Sequence, residues 1–443
     1  MGAPLLTVLG GGPAGLAVGY YARKAGLDCA VLEAGERVGG NCITYRHGDF
    51  RFDSGAHRFH DKDAEITGDV CDLLGDELKL IEVPSYIYSG AGLVDFPLAP
   101  LNLMKRLGPA VFAKAAGEVL ASRIGGRAPA SNFEEFALAT YGPTIAGRFL
   151  LNYSRKLWGV PCDRLSPDVA GKRLSGLGLA AFLAEAVGGA LVRDRHVDGR
   201  FWYPRLGYGQ IAEALAAACG PEVVRLRSRV TRIRHDGDRI TSIEINGSEN
   251  LAAGEVVSTL PLDLFLRMLD PPPETSVLEG TRGMRYRNVI LAAFFLDRPR
   301  VNDAGSIYFP DDEFPFTRVY EPRNRSALMA PPGRTSLVAE IPCDASDAAW
   351  GMDDAALLDL VRRPLARIGW LRDSEILDAT VKRLPYAYPV LETGYEARVE
   401  AIHRYLSRFG NLQFSGRSGK FLYSWLHEML RFGKDIVAES VAQ

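Results

Sequence analysis

Three glycines and one carboxylate near the start of the chain have the types and spacing of a dinucleotide site. Gly10, Gly12 and Gly15 form a G-x-G-x-x-G run, and Glu33 follows about 20 residues on. The first glycine permits a tight turn, the second lets a pyrophosphate approach the backbone, and the third lets helix and strand pack closely. A carboxylate at Glu33 accepts hydrogen bonds from ribose hydroxyls and repels a 2′-phosphate. This chemistry needs a frame, and the flanking residues supply it. Leu5 to Leu9 is an apolar run of strand type, Ala14 to Lys24 has helical composition with Gly26 as its stop, and Leu27 to Leu32 reads as a second strand. The helix N-terminus offers free N–H groups and a positive dipole end to a phosphate.

Composition narrows the class. The 443 residues are too many for one ordinary domain, and 47% hydrophobic with 24% charged residues is usual for a globular protein. A net charge of −2 leaves no global basic field, so no nucleic-acid or anionic-membrane partner is expected, while local anion sites remain open. Six cysteines without a C-x-x-C fit reduced thiols, not a disulfide framework or a zinc site, and no metal is expected. The first strand begins after four residues, so no signal peptide fits in front of it and a cytoplasmic location is expected. Leu177 to Val192 is apolar but is interrupted by Glu185 and Gly188-Gly189, short of the roughly 20 residues that span a bilayer.

Along the chain, Phe50 to Phe52 is strand-like and is followed by His57 and His60 on either side of Arg58; histidine titrates near neutral pH, which suits it to a structural or a functional role. Asp63 to Leu80 reads as helix, and Ile87 to Phe96 as a hairpin turning at Gly90-Ala91-Gly92. Residues from about 98 to 200 are mostly helical, with Asn132 as an N-cap ahead of Phe133 to Thr140. Two alternating runs joined through Asp236-Gly237-Asp238 signal a second hairpin. Runs at Arg287 to Leu296, Ser306 to Phe309, Phe316 to Tyr320 and Ser336 to Ile341 read as strands of a substrate-site sheet, followed by a helix at Asp353 to Ile368 and a further strand-like run at Asp378 to Leu384. Asn411 to Phe414 returns as a strand into Gly416-Arg417-Ser418-Gly419 and a final helix.

The run from Glu33 through Ala34 and Arg37 to Gly39 and Gly40 resembles the E-x-x-x-R-x-G-G extension of FAD-binding oxidoreductases of the amine-oxidase and protoporphyrinogen-oxidase type. The resemblance implies FAD as cofactor, held by Gly10, Gly12, Pro13, Ala14, Gly15, Glu33, Ala34, Arg37, Gly39, Gly40, Asn41, His57, Val230, Gly416 and Arg417. More narrowly, FDSGAHRFH, RKLWGVPCDRLSPDVAGKRL, WYPRLGYGQ, YFPDDEFPFTRVYEP, AYPV and GRSGKFLY occur in the order found in UDP-galactopyranose mutases, which the chain resembles almost end to end.

That likeness implies an α/β fold with a Rossmann-like FAD-binding domain (1–97, 205–265 and 378–443), a helical insertion (98–204) and a mixed β-sheet substrate domain (266–377). It implies catalytic roles for His57, Arg173, Arg318, Tyr388 and Tyr423, and substrate binding by Trp158, Arg287 and Tyr308. The two arginines, Arg173 and Arg318, would clamp a diphosphate, since guanidinium offers a fixed fork of donors and keeps its charge when desolvated. The implied reaction is a pyranose–furanose isomerisation of a nucleotide sugar, with reduced flavin N5 as nucleophile, no net redox change and NAD(P)H as a candidate reductant. Ser424-Trp425-Leu426-His427 departs from the mutase pattern, which carries Asp or Asn in this stretch. The alternative of a different class is an oxidoreductase of the protoporphyrinogen-oxidase, amine-oxidase or desaturase type, in which FAD accepts a hydride and the arginines are structural or bind a carboxylate. A non-catalytic FAD-binding scaffold is the third reading.

Overall fold

A computed structural model describes residues 5–90, 92–98, 100–124, 129–170 and 199–442. Arg173, the apolar stretch Leu177 to Val192 and the turn residue Ala91 lie outside the described residues. The fold is α/β. A five-stranded parallel sheet runs in the order Leu412–Phe414, Glu255–Ser258, Leu6–Leu9, Cys29–Leu32, Val224–Arg225. The central strand Leu6–Leu9 is buried at every residue, which is why it reads as a continuous run instead of an alternation. Parallel neighbours cannot be joined by a hairpin, so the chain crosses over through helix Pro13–Lys24. That helix is buried from Pro13 to Ala22 because helices Gln210–Cys219 and Leu426–Ala442 pack against it.

A four-stranded sheet follows in the order Glu249–Ala252, Ile240–Ile245, Val230–His235, Leu269–Asp270. Its hairpin turns where the sequence placed it, with Asp236 Oδ1 accepting from the N–H groups of Asp238 and Arg239 at 3.0 and 2.8 Å. The third sheet has seven strands, ordered Ile376–Val390, Arg285–Leu296, Thr335–Cys343, Arg318–Tyr320, Ser306–Tyr308, Ser85–Ser89, Gly92–Phe96. It therefore takes residues 85–89, 92–96 and 378–390 from stretches that the sequence reading gave to the FAD-binding part.

Three elements differ from expectation for local reasons. The helix begun at Asp63 ends at Leu74, where Gly75 takes φ +50°, and Leu78–Glu82 is a strand. The strand expected to stop at Leu384 continues to Val390 through a bulge, in which Asn288 lies opposite Pro385 to Ala387 and Tyr386 has φ +54°. Pro385 cannot donate to a ladder, so the strand interrupts there and then resumes. Helix Phe133–Ile145 runs past Thr140 with a break at Gly142 (φ +72°), next to Pro143, before a π-helical turn at Ala146–Leu151 and helix Asn152–Trp158. Proline disfavours helical geometry in its predecessor, and glycine absorbs the turn.

Asn411 joins two of the sheets. It is fully buried, receives the Ile240 N–H on Oδ1 at 2.8 Å, and donates to the carbonyls of Ile240 (2.9 Å) and Gly254 (2.6 Å). Asn411→Ala leaves these buried groups without partners and is expected to lower stability by about 2–4 kcal/mol. Urea denaturation of the variant checks this; a loss under about 1 kcal/mol would mean that water replaces the amide.

Candidate active site

The glycine run, the Glu33 segment and the C-terminal loop meet at the N-terminus of helix Pro13–Lys24. Gly12 precedes the helix without a side-chain cap, and Pro13 occupies the first turn, where no N–H is lost. A Cβ on Gly15 would lie 2.0 Å from the Gly10 carbonyl oxygen, so this position accepts no side chain. Gly12 is different. A Cβ there would find only the Cα of Gly40, at 3.9 Å, so the protein itself leaves this space open. Both oxygens of Glu33 accept backbone N–H groups, from Gly11 at 2.9 Å and Gly35 at 2.7 Å, which aims the carboxylate and leaves lone pairs for a ribose.

Around this cradle, Ala34 is exposed beside Glu33, and Arg37 Nη2 donates to the Thr44 carbonyl at 3.0 Å. Asn41 donates to the carbonyl of Tyr386 at 3.2 Å, which ties the cradle to the bulge. Val230 is buried two residues beyond Ser228, whose N–H donates to the Glu33 carbonyl at 2.8 Å. Gly416 (φ +76°) sits against Ala14, and a Cβ there would approach within 2.8 Å of the Ala14 Cβ. On the same loop, Arg417 Nε, Ser415 Oγ and Ser424 Oγ are buried polar atoms with no partner among the described residues. Buried polar groups are normally satisfied, so orphaned ones beside an open helix N-terminus fit a polar ligand of the flavin dinucleotide kind.

His57 stands on a shelf that the sequence reading did not foresee. Its ring stacks on Tyr208 at 4.9 Å, and its carbonyl accepts from Arg325 Nη1 at 2.6 Å. Buried Asp53 anchors the shelf by accepting from Thr44 Oγ1, Tyr203 Oη and the Tyr208 N–H at 2.6, 2.5 and 2.9 Å. The WYPRLGYGQ motif therefore serves as scaffold here. Ser54 Oγ donates its single proton to the Asn41 carbonyl (2.6 Å) and receives the Ile43 N–H (3.0 Å). Its 3.1 Å contact with His57 Nε2 then requires the proton on that nitrogen and leaves Nδ1 as the acceptor. Burial, reinforced by Arg318, Arg417 and Arg325, pushes the imidazole down to about 3, so it is neutral at physiological pH.

The remaining expected residues divide into those that converge and those that do not. Trp158, Tyr388 and Tyr423 form one aromatic cluster, with centroids 5.9 to 6.2 Å apart, and Arg417 lies over both tyrosine rings at 5.4 and 5.3 Å. Tyr308 is directly opposite Arg318 in the sheet, and Arg318 is electrostatically coupled to Tyr388, Tyr308 and Tyr153. An apolar cavity of about 90 Å³ opens here, with Phe96, Phe149, Tyr153, Trp158, Tyr308 and Tyr423 among its walls. Arg318 is not wholly available to a ligand. Its Nε and Nη2 donate to one oxygen of buried Glu340 at 2.9 and 2.6 Å, while Nη1 has no acceptor among the described residues. Arg287 faces away from the cavity's needs: it is buried and bonds the carbonyls of Leu157, Lys156 and Pro342 and the Asp344 carboxylate. Its place is beneath Trp158, as a support for the helix end.

Glu340, Arg325, Asp53 and Ser54 were missed by sequence reasoning. One signal existed: Glu340 is a lone carboxylate in the otherwise uncharged strand Thr335–Cys343, and a charge buried there needs a partner. Among the described residues no group of side chains could hold a metal ion, and no helix is long and apolar enough to cross a membrane. All six cysteines are free.

Comparison with known proteins places this geometry. Residues 13–421 match the family described as flavin containing amine oxidoreductase. A crystal structure of reduced UDP-galactopyranose mutase superposes with a TM-score of 0.86 at 20% identity, covering 99% of this chain and 96% of that one. A putative protoporphyrinogen oxidase from Exiguobacterium sp. 255-15 gives a TM-score of 0.78, also at 20% identity, over 100% of both chains. Phytoene dehydrogenase of Streptomyces griseus is 25% identical over 313 residues, which are 60% of this chain and 56% of that protein. The chain thus spans little more than half of this curated relative, and the two solved structures establish the fold alone.

Two tests follow from the site. Gly12→Ala meets open space in the protein but would intrude where the sequence motif expects a pyrophosphate, so the variant is expected to fold with stability within about 1 kcal/mol of the parent. FAD affinity, measured by flavin fluorescence on titrating the apoprotein, should fall at least about tenfold. The second concerns His57. Its lowered folded-state pKa means that the unfolded chain takes up a proton first as pH falls from about 6.5 toward about 3, so this group's contribution to stability is intact above that window and is lost through it. Nitrogen NMR of the labelled histidine should show a neutral ring with the proton on Nε2 down to pH 5; an imidazolium signal at pH 6 would contradict the assignment.

Proposed function

The chain belongs to the flavin-containing amine oxidoreductase family, and within it we propose that this FAD-dependent enzyme is a sugar-nucleotide mutase. The substrate would be a nucleotide diphosphate sugar, interconverted between pyranose and furanose rings with no net redox change. When bound in its reduced form, the flavin supplies a nucleophilic ring nitrogen and so carries the covalent chemistry. The cradle residues from Gly10 to Gly15, Glu33, Ala34, Arg37, Gly39 to Asn41, Val230, Gly416 and Arg417 would hold it. NAD(P)H is proposed as the reductant, and a cytoplasmic location belongs to the same proposal.

The observation that carries the reading is a cavity walled by Trp158, Tyr308 and Tyr423, with Arg318 opposite Tyr308 in the sheet and Tyr388 packed against Trp158 and Tyr423. A departing diphosphate develops charge, and a buried guanidinium with one nitrogen uncommitted is placed to take it. Tyrosine hydroxyls add neutral donors to the same oxygens. Burial holds the Tyr388 phenol above its ordinary value, so it keeps its proton to donate. The neutral His57 ring would present Nδ1 as an acceptor without adding charge. Arg173, the second arm of the expected clamp, remains part of the proposal. The fold likeness to a reduced UDP-galactopyranose mutase supports it.

A second reading has its own observation. The cavity walls among the described residues carry no charged side chain, and Glu340 neutralises Arg318. An oxidoreductase acting on an apolar or amine substrate would need no more than this.

A panel of sugar nucleotides, incubated with dithionite-reduced and with oxidised holoenzyme, separates the two. Conversion to an isomer of equal mass with reduced flavin alone is expected, and Arg318→Gln should lower kcat by about 100-fold or more. Flavin reduction by an apolar or amine donor, with no sugar nucleotide turned over, would establish the oxidoreductase instead.

A further inference from the structure

One half-buried cation plays no part in the reading above. Lys156 lies on helix Asn152–Trp158, and its Nζ donates to the carbonyls of Phe309 (2.8 Å), Asp311 (2.8 Å) and Phe316 (3.1 Å). An ammonium has three protons and no acceptor, so every donor is committed to the loop 309–316. The same helix grips that loop twice more. Asn152 donates to the Pro310 carbonyl at 2.6 Å, and Arg155 pairs with Asp312 at 2.6 Å. The loop connects the strand carrying Tyr308 to the strand carrying Arg318. The helix in turn lines the cavity with Tyr153, Ser154, Leu157 and Trp158. Lys156 therefore stands at the joint between two cavity walls.

We propose that the Lys156 ammonium is a positioning group that fixes the width of the substrate cavity, by holding loop 309–316 against the helix that carries Tyr153 and Trp158. The inference rests on this cavity being the substrate site. A neutral amine cannot do the same work, because it has two protons and a lone pair to offer three carbonyls. One carbonyl then loses its donor and faces a lone pair. The arrangement consequently depends on pH. Burial pushes this ammonium down to about 8, against the pull of Asp312 and Asp311 and with the help of Arg155. The other charges around it are paired: Arg287, with Asp344, bonds the Lys156 carbonyl from the sheet side, and Glu313, with Arg367, closes the outer side of the loop. The latch is complete below about pH 8 and loses an arm above it.

Hydrogen exchange on the FAD-loaded protein tests this without any substrate. The amides of Phe309, Phe314 and Thr317 bond to the carbonyls of Thr317, Asp311 and Glu340 and report on the loop. After correction for intrinsic rates, their protection in the parent should fall about tenfold between pH 7 and 9.5. Lys156→Met should show that loss already at pH 7 and no further change. UDP affinity, followed by the flavin spectrum, should weaken above about pH 8 in the parent and be flat in the variant, which a purely structural lysine would not produce. Parent protection that stays constant to pH 9.5, or full protection in Lys156→Met, overturns the proposal. Should the variant not fold, the parent's pH series decides alone. A pH-dependent loop in a protein that binds no UDP would sustain the latch while removing the nucleotide-sugar reading.

Discussion

Glu340 sits in a strand whose nine residues are all buried, and a carboxylate in such a place survives only if both oxygens are taken. One accepts the Ala56 N–H at 2.8 Å, and the other accepts two bonds from Arg318. The first bond fixes the turn that presents His57. The second fixes the guanidinium beside Tyr308 and Tyr388. A single side chain therefore sets the relative position of the segment facing the cradle and the segment facing the cavity, although Glu340 lies 284 residues from Ala56 in sequence. Removing it would strand Arg318 as an uncompensated buried cation, a more damaging event than the loss of a surface pair.

The two halves of the site rest on different kinds of sheet, and each suits its load. The cradle stands at the end of a parallel sheet buried on both faces, where backbone N–H groups and close glycine contacts do the binding. Such a site needs few side chains and tolerates little movement. The cavity uses side chains, and the mixed sheet offers them by irregularity. The bulge at Pro385–Ala387 brings Tyr388 opposite Arg287, and Asn41 bonds the bulge at Tyr386, so the irregular strand is referred back to the cradle. On the opposite wall the break at Gly142 leads into the π-helical turn Ala146–Leu151, whose Phe149 and Leu150 line the cavity together with Tyr153 of the helix that follows.

This contrast explains what could be read from the chain alone. The cradle was legible because its requirements are local: glycine spacing, a following helix and an acid at the next strand end, all within Gly10 to Gly40. The strands of the mixed sheet were also legible as apolar runs, and their flanks were not, since Pro385 signalled an end that tertiary pairing overrode. Contacts between distant segments left no pattern. Arg287 looked like a ligand-binding arginine by its neighbours in sequence, yet its donors go to backbone carbonyls that close a helix, a role no spacing could show. Arg325 and Asp53 were missed for the same reason: Arg325 ties the His57 carbonyl to Gly305 and Ser306, and Asp53 ties Thr44 to Tyr203 and Tyr208, and nothing beside them in sequence marks these partners.

The charges of the site follow from the same buried frame. Arg318, Arg417 and Arg325 surround His57 and act with burial to keep its imidazole unprotonated, while burial keeps the Tyr388 phenol protonated. The positive charge near His57 and Tyr388 thus resides on arginines, which cannot release it, while these two titratable groups are held in their neutral forms. This part of the site changes little in charge across physiological pH. It can stabilise an anion that appears during a reaction and still present neutral donors and acceptors to the uncharged parts of the ligand. The fixed cations have Glu340 as their buried counterweight, so the positive charge left over for an incoming anion is smaller than the number of arginines suggests. It is concentrated at the one guanidinium nitrogen of Arg318 and the Nε of Arg417 that have no acceptor among the described residues. Those two atoms, one beside Tyr308 in the mixed sheet and one on the cradle's C-terminal loop, mark where charge is wanted. The buried frame keeps both arginines from turning inward to satisfy themselves.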